Sequence, residues 1–119
     1  MLNTIYQLVR PRQFEVAFED ISIDREHILV RPTHLSICNA DERYYQGKRA
    51  EDVLRRKLPM ALIHEGIGRV VYDPTDTFAV GERVVMIPNL PCQQDEVVAE
   101  NYLRSSKFRG SSINGLMQE

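Results

Sequence analysis

Apolar residues along this chain come in short runs broken by Gly, Pro and charged residues, and few of them recur at helical spacing. In residues 4–9, Ile5, Tyr6, Leu8 and Val9 give a β-type run that Pro11 interrupts. Phe14, Val16 and Phe18 alternate with polar neighbours, the period of a half-buried strand. Residues 20–26 are polar and predict a turn. Ile28, Leu29 and Val30 predict a short buried strand that Arg31-Pro32 stops, because proline cannot donate to a ladder. Residues 33–38 continue extended and put Cys38 at a strand end. Residues 39–46 have no clean period and read as one helical turn or a loop, ended by Gly47. Residues 50–57 read as a helix with a solvated, charged face. A strand is expected at residues 69–72, a turn at residues 73–76, and a tight turn at Gly81 feeding a buried strand through Val84 to Ile87. Residues 89–112 show little periodicity and read as a long excursion, after which Asn114-Gly115 predicts a turn into a last strand. Short strands with Gly or Pro punctuation favour a mainly β domain, a barrel or a sandwich.

Composition narrows the picture. A chain of 119 residues suffices for one domain with its own core. With 43% hydrophobic and 27% charged residues it is globular rather than disordered. Lys and Arg number 15 and Asp and Glu 17, and the net charge of −2 argues against a general nucleic-acid binder. Two Cys do not make a disulfide framework. The N-terminus lacks the charged start and apolar core of a signal peptide, and no apolar run is long enough to span a membrane. The expectation is a cytoplasmic protein without nucleic-acid or membrane partners.

The candidate chemistry lies between Cys38 and Glu65. A thiol and the imidazole of His64 stand 26 positions apart, each with a carboxylate close by, Asp41 and Glu65. Zinc takes both donors, and a catalytic site needs three protein ligands and one open position. Asp41 or Glu65 could orient the ligands by accepting the other N–H of a metal-bound imidazole. By spacing alone, such a pair is more often a buried thiol and a satisfied histidine. Residues 42–57 carry six cations, Arg43, Lys48, Arg49, Arg55, Arg56 and Lys57, against three carboxylates. Most of these charges read as a solvated helix face, and some of them as contacts to an anionic substrate. Gly66 and Gly68 do not complete a dinucleotide fingerprint; they are expected to let backbone approach closely beside the site. His27 and His34 read as surface or strand-edge histidines.

Several stretches line up with a known family. Ile37-Cys38-Asn39-Ala40-Asp41 resembles the G-x-C-G-[TS]-D segment of medium-chain, zinc-dependent alcohol dehydrogenases. Ile63-His64-Glu65-Gly66 resembles their G-H-E segment, Val80-Gly81-Glu82-Arg83-Val84 their G-D-R-V turn, and residues 114–119 their D-G-G-x-A-E-Y segment. Residues 8–16, 57–66 and 99–106 look like the ribulose-5-phosphate reductase branch, also called ribitol-5-phosphate dehydrogenases, which serves teichoic-acid or capsule synthesis.

The resemblance implies a GroES-like, partly open β-barrel with short helices over residues 1–119, as the N-terminal part of a catalytic domain. The family's Rossmann domain, which binds NADP(H), is expected outside this chain. It implies one catalytic Zn2+ held by Cys38 and His64, with Asp41 holding His64 from behind. Glu65 would shape the field at the metal or serve as a transient ligand. The third ligand would come from beyond Glu119. The expected substrate is a phosphorylated ketose or polyol, and the expected partners are a second copy of the chain and a cytidylyltransferase of the same pathway. Ala40 stands where the family usually has a proton-passing hydroxyl, and Arg43 where many members have a relay histidine. Arg43 becomes a candidate for the substrate phosphate, since a guanidinium matches phosphate oxygens by its fork. Only Cys92 lies where the family's four-cysteine lobe would be, so no structural zinc is expected. The alternatives are another polyol or alcohol dehydrogenase of the family, or a GroES-like interaction module without catalysis.

Overall fold

The computed structural model describes residues 1–99 and 105–119. Strands dominate, with two helices of seven residues each, α1 (Asn39–Tyr45) and α2 (Glu51–Lys57). One sheet has the order β2-β1-β4, from β1 (Leu2–Arg10), β2 (Gln13–Asp20) and β4 (Met60–Ala61). A second has the order β3-β5-β6, from β3 (Leu29–Ser36), β5 (Glu65–Tyr72) and β6 (Arg83–Met86). β7 (Asn89–Leu90) and β8 (Lys107–Phe108) form a small ribbon within the stretch expected to be an excursion. These open sheets have the mainly β, partly open form that the resemblance implies. The stretch 99–106 quoted above falls largely outside the described residues.

The core is small and lies where the two larger sheets meet the helices. Leu8 from β1, Tyr44 from α1, and Met60, Leu62, Ile63 and Leu116 form one buried cluster. Residues 60–63 are its spine. β4 pairs with β1, Gln7 opposite Ala61 and Leu8 opposite Met60. On the other side the Gly115 and Leu116 amides donate to the Ala61 and Ile63 carbonyls, each at 2.7 Å. Gly115 is required there: a Cβ would stand 2.2 Å from the Leu62 carbonyl oxygen. The expected last strand is extended chain bonded to β1, with the Thr4 amide donating to the Glu119 carbonyl at 2.7 Å.

Four expectations are corrected. Phe14, Val16 and Phe18 are exposed, Phe18 by 66%. Among the described residues β2 is an edge strand paired with β1 alone; Phe14 stacks on the Tyr45 ring with centroids 5.9 Å apart, and exposure rises along the strand to Val16 and Phe18. Pro32 does not stop β3, which runs through it to Ser36. β3 is also an edge strand, paired only with β5, so the missing N–H is tolerated, and a register shift follows between Pro32 and His34. The run at Val84 to Ile87 is only half buried, with Val85 73% exposed. Residues 39–45 form a regular helix, where no period was visible. The close approach expected at the glycines is present: a Cβ on Gly68 would lie 2.5 Å from the Arg31 carbonyl oxygen.

Candidate metal centre

The register of β3 against β5 brings the thiol and the imidazole together. In this antiparallel pair Ser36 stands opposite Glu65. Two residues beyond Ser36 is Cys38, and one residue before Glu65 is His64, so both emerge at the same end of the ladder. The 25 intervening residues leave through α1 and α2 and return through β4. Cys38 Sγ lies 3.9 Å from His64 Nδ1. The ring's other nitrogen, Nε2, faces Glu65 Oε1 at 3.6 Å, a charge contact too long for a hydrogen bond.

Asp41 is a buried carboxylate, 3% exposed, in the first turn of α1. Its Oδ2 accepts from the Cys38 amide at 3.0 Å and its Oδ1 from the Ile63 amide at 2.9 Å. Its hydrogen bonds thus run to backbone on both sides of the pair. Asp41 sits beside His64 and fixes the imidazole through the preceding amide; among the described residues it makes no hydrogen bond to the ring itself. The carboxylate ties the start of the helix to the end of the core spine, and so sets the spacing of thiol and imidazole.

Among the described residues, the potential ligand atoms of Cys38, Asp41 and His64 gather within 4.8 Å of one another. Zinc–sulfur near 2.3 Å and zinc–nitrogen near 2.1 Å at a tetrahedral angle put the two donors about 3.6 Å apart. The observed 3.9 Å fits that half-site with a small adjustment. Cys38 is partly buried, whereas Cys92 is exposed and outside the cluster.

A groove of about 550 Å³ opens beside the pair, lined by His64 and Glu65, by His34 and Ser36 from β3, and by the apolar Met86 and Ile87. His34, expected to be an ordinary edge histidine, thus faces the site. The only hint in the sequence was its spacing of two from Ser36 and four from Cys38 along extended chain. Phe108 was missed altogether. Its ring tilts against His64 with centroids 5.2 Å apart, and its segment has no periodicity from which to foresee this. Arg43 is exposed in the last turn of α1, and Ala40 sits half-buried in the first.

Comparison with known proteins shows the family and the fold. Residues 24–119 match the alcohol dehydrogenase GroES-like domain. The chain is 59% identical over 119 residues to a ribulose-5-phosphate reductase of Bacillus spizizenii, covering all of this chain and 35% of that protein. The crystal structure of S. aureus TarJ in complex with NADPH superposes with a TM-score of 0.73 at 42% identity, over 99% of this chain and 30% of that one. L-idonate 5-dehydrogenase from Escherichia coli K-12 superposes at 0.84 with 25% identity, over 99% of this chain and 36% of that one. The chain therefore spans about a third of the length of the relatives it matches.

Proposed function

The chain belongs to the alcohol dehydrogenase GroES-like family, and on that premise we propose that it is the zinc-binding catalytic part of a cytoplasmic oxidoreductase that reduces ribulose 5-phosphate to ribitol 5-phosphate with NADPH. The product would feed teichoic-acid or capsule synthesis, alongside a cytidylyltransferase, with the enzyme acting as a homo-oligomer. A nicotinamide-binding Rossmann domain would stand elsewhere in the whole protein. The observation that carries the proposal is the convergence of Cys38 and His64 to 3.9 Å in a chain so similar to a ribulose-5-phosphate reductase.

Cys38 and His64 would hold the zinc, with Glu65 a candidate further ligand. Held there, zinc would supply Lewis-acid polarisation of a ketone oxygen, and a reduced nicotinamide would supply the hydride for its carbon, with a proton taken up at the oxygen. Asp41 keeps the thiol and imidazole at a fixed separation, so little reorganisation is needed on loading. Phe108 limits the tilt of the His64 ring. Ala40 carries no hydroxyl to pass a proton. The groove-lining groups that can exchange one are His34, Ser36 and Glu65, all open to solvent. Met86 and Ile87 give one side of the groove an apolar lining.

The test uses the whole protein with zinc, NADPH and ribulose 5-phosphate, following loss of the reduced-nicotinamide absorbance. Cys38→Ser and His64→Asn should each lower bound zinc and abolish turnover. Undiminished turnover in both variants would refute the ligand assignment. Preference for an unphosphorylated polyol or its ketone would move the protein to the polyol dehydrogenase alternative.

A further inference from the structure

The six cations of residues 42–57 are not equivalent in the fold. Arg55 pairs with Glu51 at 3.1 Å and Arg56 with Asp52 at 3.6 Å, both on the exposed face of α2. Those two pairs use both carboxylates of that helix. Arg43 and Lys48 are exposed. Arg49 and Lys57 behave differently. Each is partly buried, and neither forms an ion pair among the described residues. Both are gathered at one aromatic ring: the Arg49 guanidinium carbon lies 4.6 Å from the Tyr44 centroid, and Lys57 Nζ lies 5.9 Å from it.

A cation over a tyrosine face is a packing arrangement in its own right. It accounts for one such charge, but not for two like charges on one ring with no ion pair to an acid among the described residues. Nor does it satisfy Arg49 Nε, which is buried and has no hydrogen-bond partner. Lys57 Nζ donates to Ser111 Oγ at 2.9 Å, leaving two of its three donors for another acceptor. A buried guanidinium donor, an ammonium and a hydroxyl, paired with no carboxylate among the described residues, are the donor set of a phosphate site.

The place is right for a substrate group. Tyr44 stands six residues along α1 from Cys38, about 9 Å of helix rise, and it packs in the same cluster as Ile63, the neighbour of His64. Ser111 adjoins Gly110, which lies against the Ile63 backbone. The basic pair is thus linked to the thiol and imidazole through one core cluster, Tyr44 on the helix that Cys38 opens and Ile63 beside His64.

The geometry points to Arg49 and Lys57, with the Ser111 hydroxyl, as the subsite for a phosphate monoester of a small sugar, in place of the exposed Arg43. This rests on the reductase reading for the identity of the sugar, but not for the binding of phosphate. The 119-residue chain is titrated with inorganic phosphate, ribulose 5-phosphate, ribulose and adenosine 2′-monophosphate, following the Arg49 Nε–H resonance by NMR. Phosphate and ribulose 5-phosphate should shift it saturably, and ribulose should not. Arg49→Gln and Lys57→Gln should each weaken ribulose 5-phosphate binding at least tenfold, with Arg55→Gln unchanged. In the whole protein the same two variants should raise KM for ribulose 5-phosphate at least tenfold and leave KM for NADPH unchanged. That comparison also decides the matter if a variant of the short chain does not fold. Tighter binding of adenosine 2′-monophosphate than of ribulose 5-phosphate at Arg49 would assign the site to the cofactor and overturn the inference. So would loss of phosphate binding in Arg43→Gln but not in Arg49→Gln. Reductase turnover with no effect of Arg49 or Lys57 overturns the subsite alone. Phosphate-dependent shifts at Arg49 without any reductase activity overturn the reductase reading and leave the subsite standing.

Discussion

Replacing Asp41 tests whether one buried carboxylate holds the metal centre together. Asp41→Ala removes two acceptors at once. The Ile63 amide is buried, so losing its partner exposes the full penalty of an unsatisfied donor, about 1–3 kcal/mol. The Cys38 amide is only partly buried, and water can replace its bond at a lower cost, about 1 kcal/mol. The expected loss is about 3 kcal/mol, a large share of the 5–15 kcal/mol that stabilises a typical domain. For a chain of this size that is about 10 °C or more in Tm. Asp41→Asn keeps the shape and one acceptor oxygen but turns an NH2 toward the other amide, so its loss should fall at about half that value. Urea and thermal unfolding by circular dichroism measure both. Asp52→Ala is the control: it breaks an exposed pair with Arg56 at 3.6 Å and should cost less than about 0.5 kcal/mol. Cobalt binding reports on the site directly, since Asp41→Asn should weaken the thiolate absorption band that Cys38 gives with the metal. An Asp41→Ala chain within about 0.5 kcal/mol of the parent, or one more stable than Asp41→Asn, refutes this role for Asp41.

Gly115→Ala should destabilise the chain by about 2 kcal/mol or more in urea unfolding, because its methyl would stand 2.2 Å from the Leu62 carbonyl oxygen. Gly81→Ala, where nothing lies within 4 Å but φ is +88°, should cost only the left-handed penalty, about 1 kcal/mol. The Thr75 hydroxyl, and then the backbone amides of Phe78, Thr75 and Thr77, hold the Asp73 carboxyl below its ordinary value. Its stabilising effect is therefore present above the unfolded pKa, near 3.9, and is lost as pH falls through the lower folded value. Asp73→Asn should flatten the acid limb of a plot of Tm against pH, and an unchanged limb would refute this. The 119-residue chain with zinc, NADPH and ribulose 5-phosphate should not consume NADPH, since it contains no G-x-G-x-x-G between a strand and a helix; turnover by this chain would refute that.

The parts legible in the sequence are those with local causes. The β runs at residues 4–9 and 69–72 became β1 and β5 because side-chain type and alternation act within a few residues. Cys38 and His64 were legible as candidates through the motifs around them. Their meeting was not, because it depends on β3 pairing with β5 in one register, a contact between distant segments. The exposure of Phe14, Val16 and Phe18 was hidden for the same reason: alternation marks an apolar face, but not whether anything covers it. Pro32 misled because its effect depends on whether its strand is central or at an edge. Phe108 and the Arg49–Tyr44–Lys57 cluster are tertiary contacts, joined by no spacing rule.

Ile63 shows how the core and the site constrain each other. In the family segment G-H-E the residue before the histidine is glycine; here a β-branched residue takes that place at φ +69°, in a region such residues rarely adopt. The strain costs about 1–3 kcal/mol. Burying the isoleucine side chain returns about as much or more, since truncating such a side chain in a core costs about 2–5 kcal/mol, and Ile63 is 6% exposed within the central cluster. Its backbone is pinned on both sides, the amide by Asp41 and the carbonyl by the Leu116 amide. The left-handed residue ends the ladder that residues 60–61 make with β1 and turns the chain into β5. At that turn His64 faces Cys38 instead of continuing the alternation of β4. The same residue therefore closes the core with its side chain and aims the imidazole with its backbone, and the two tasks are compatible only because the surrounding hydrogen bonds over-determine its conformation.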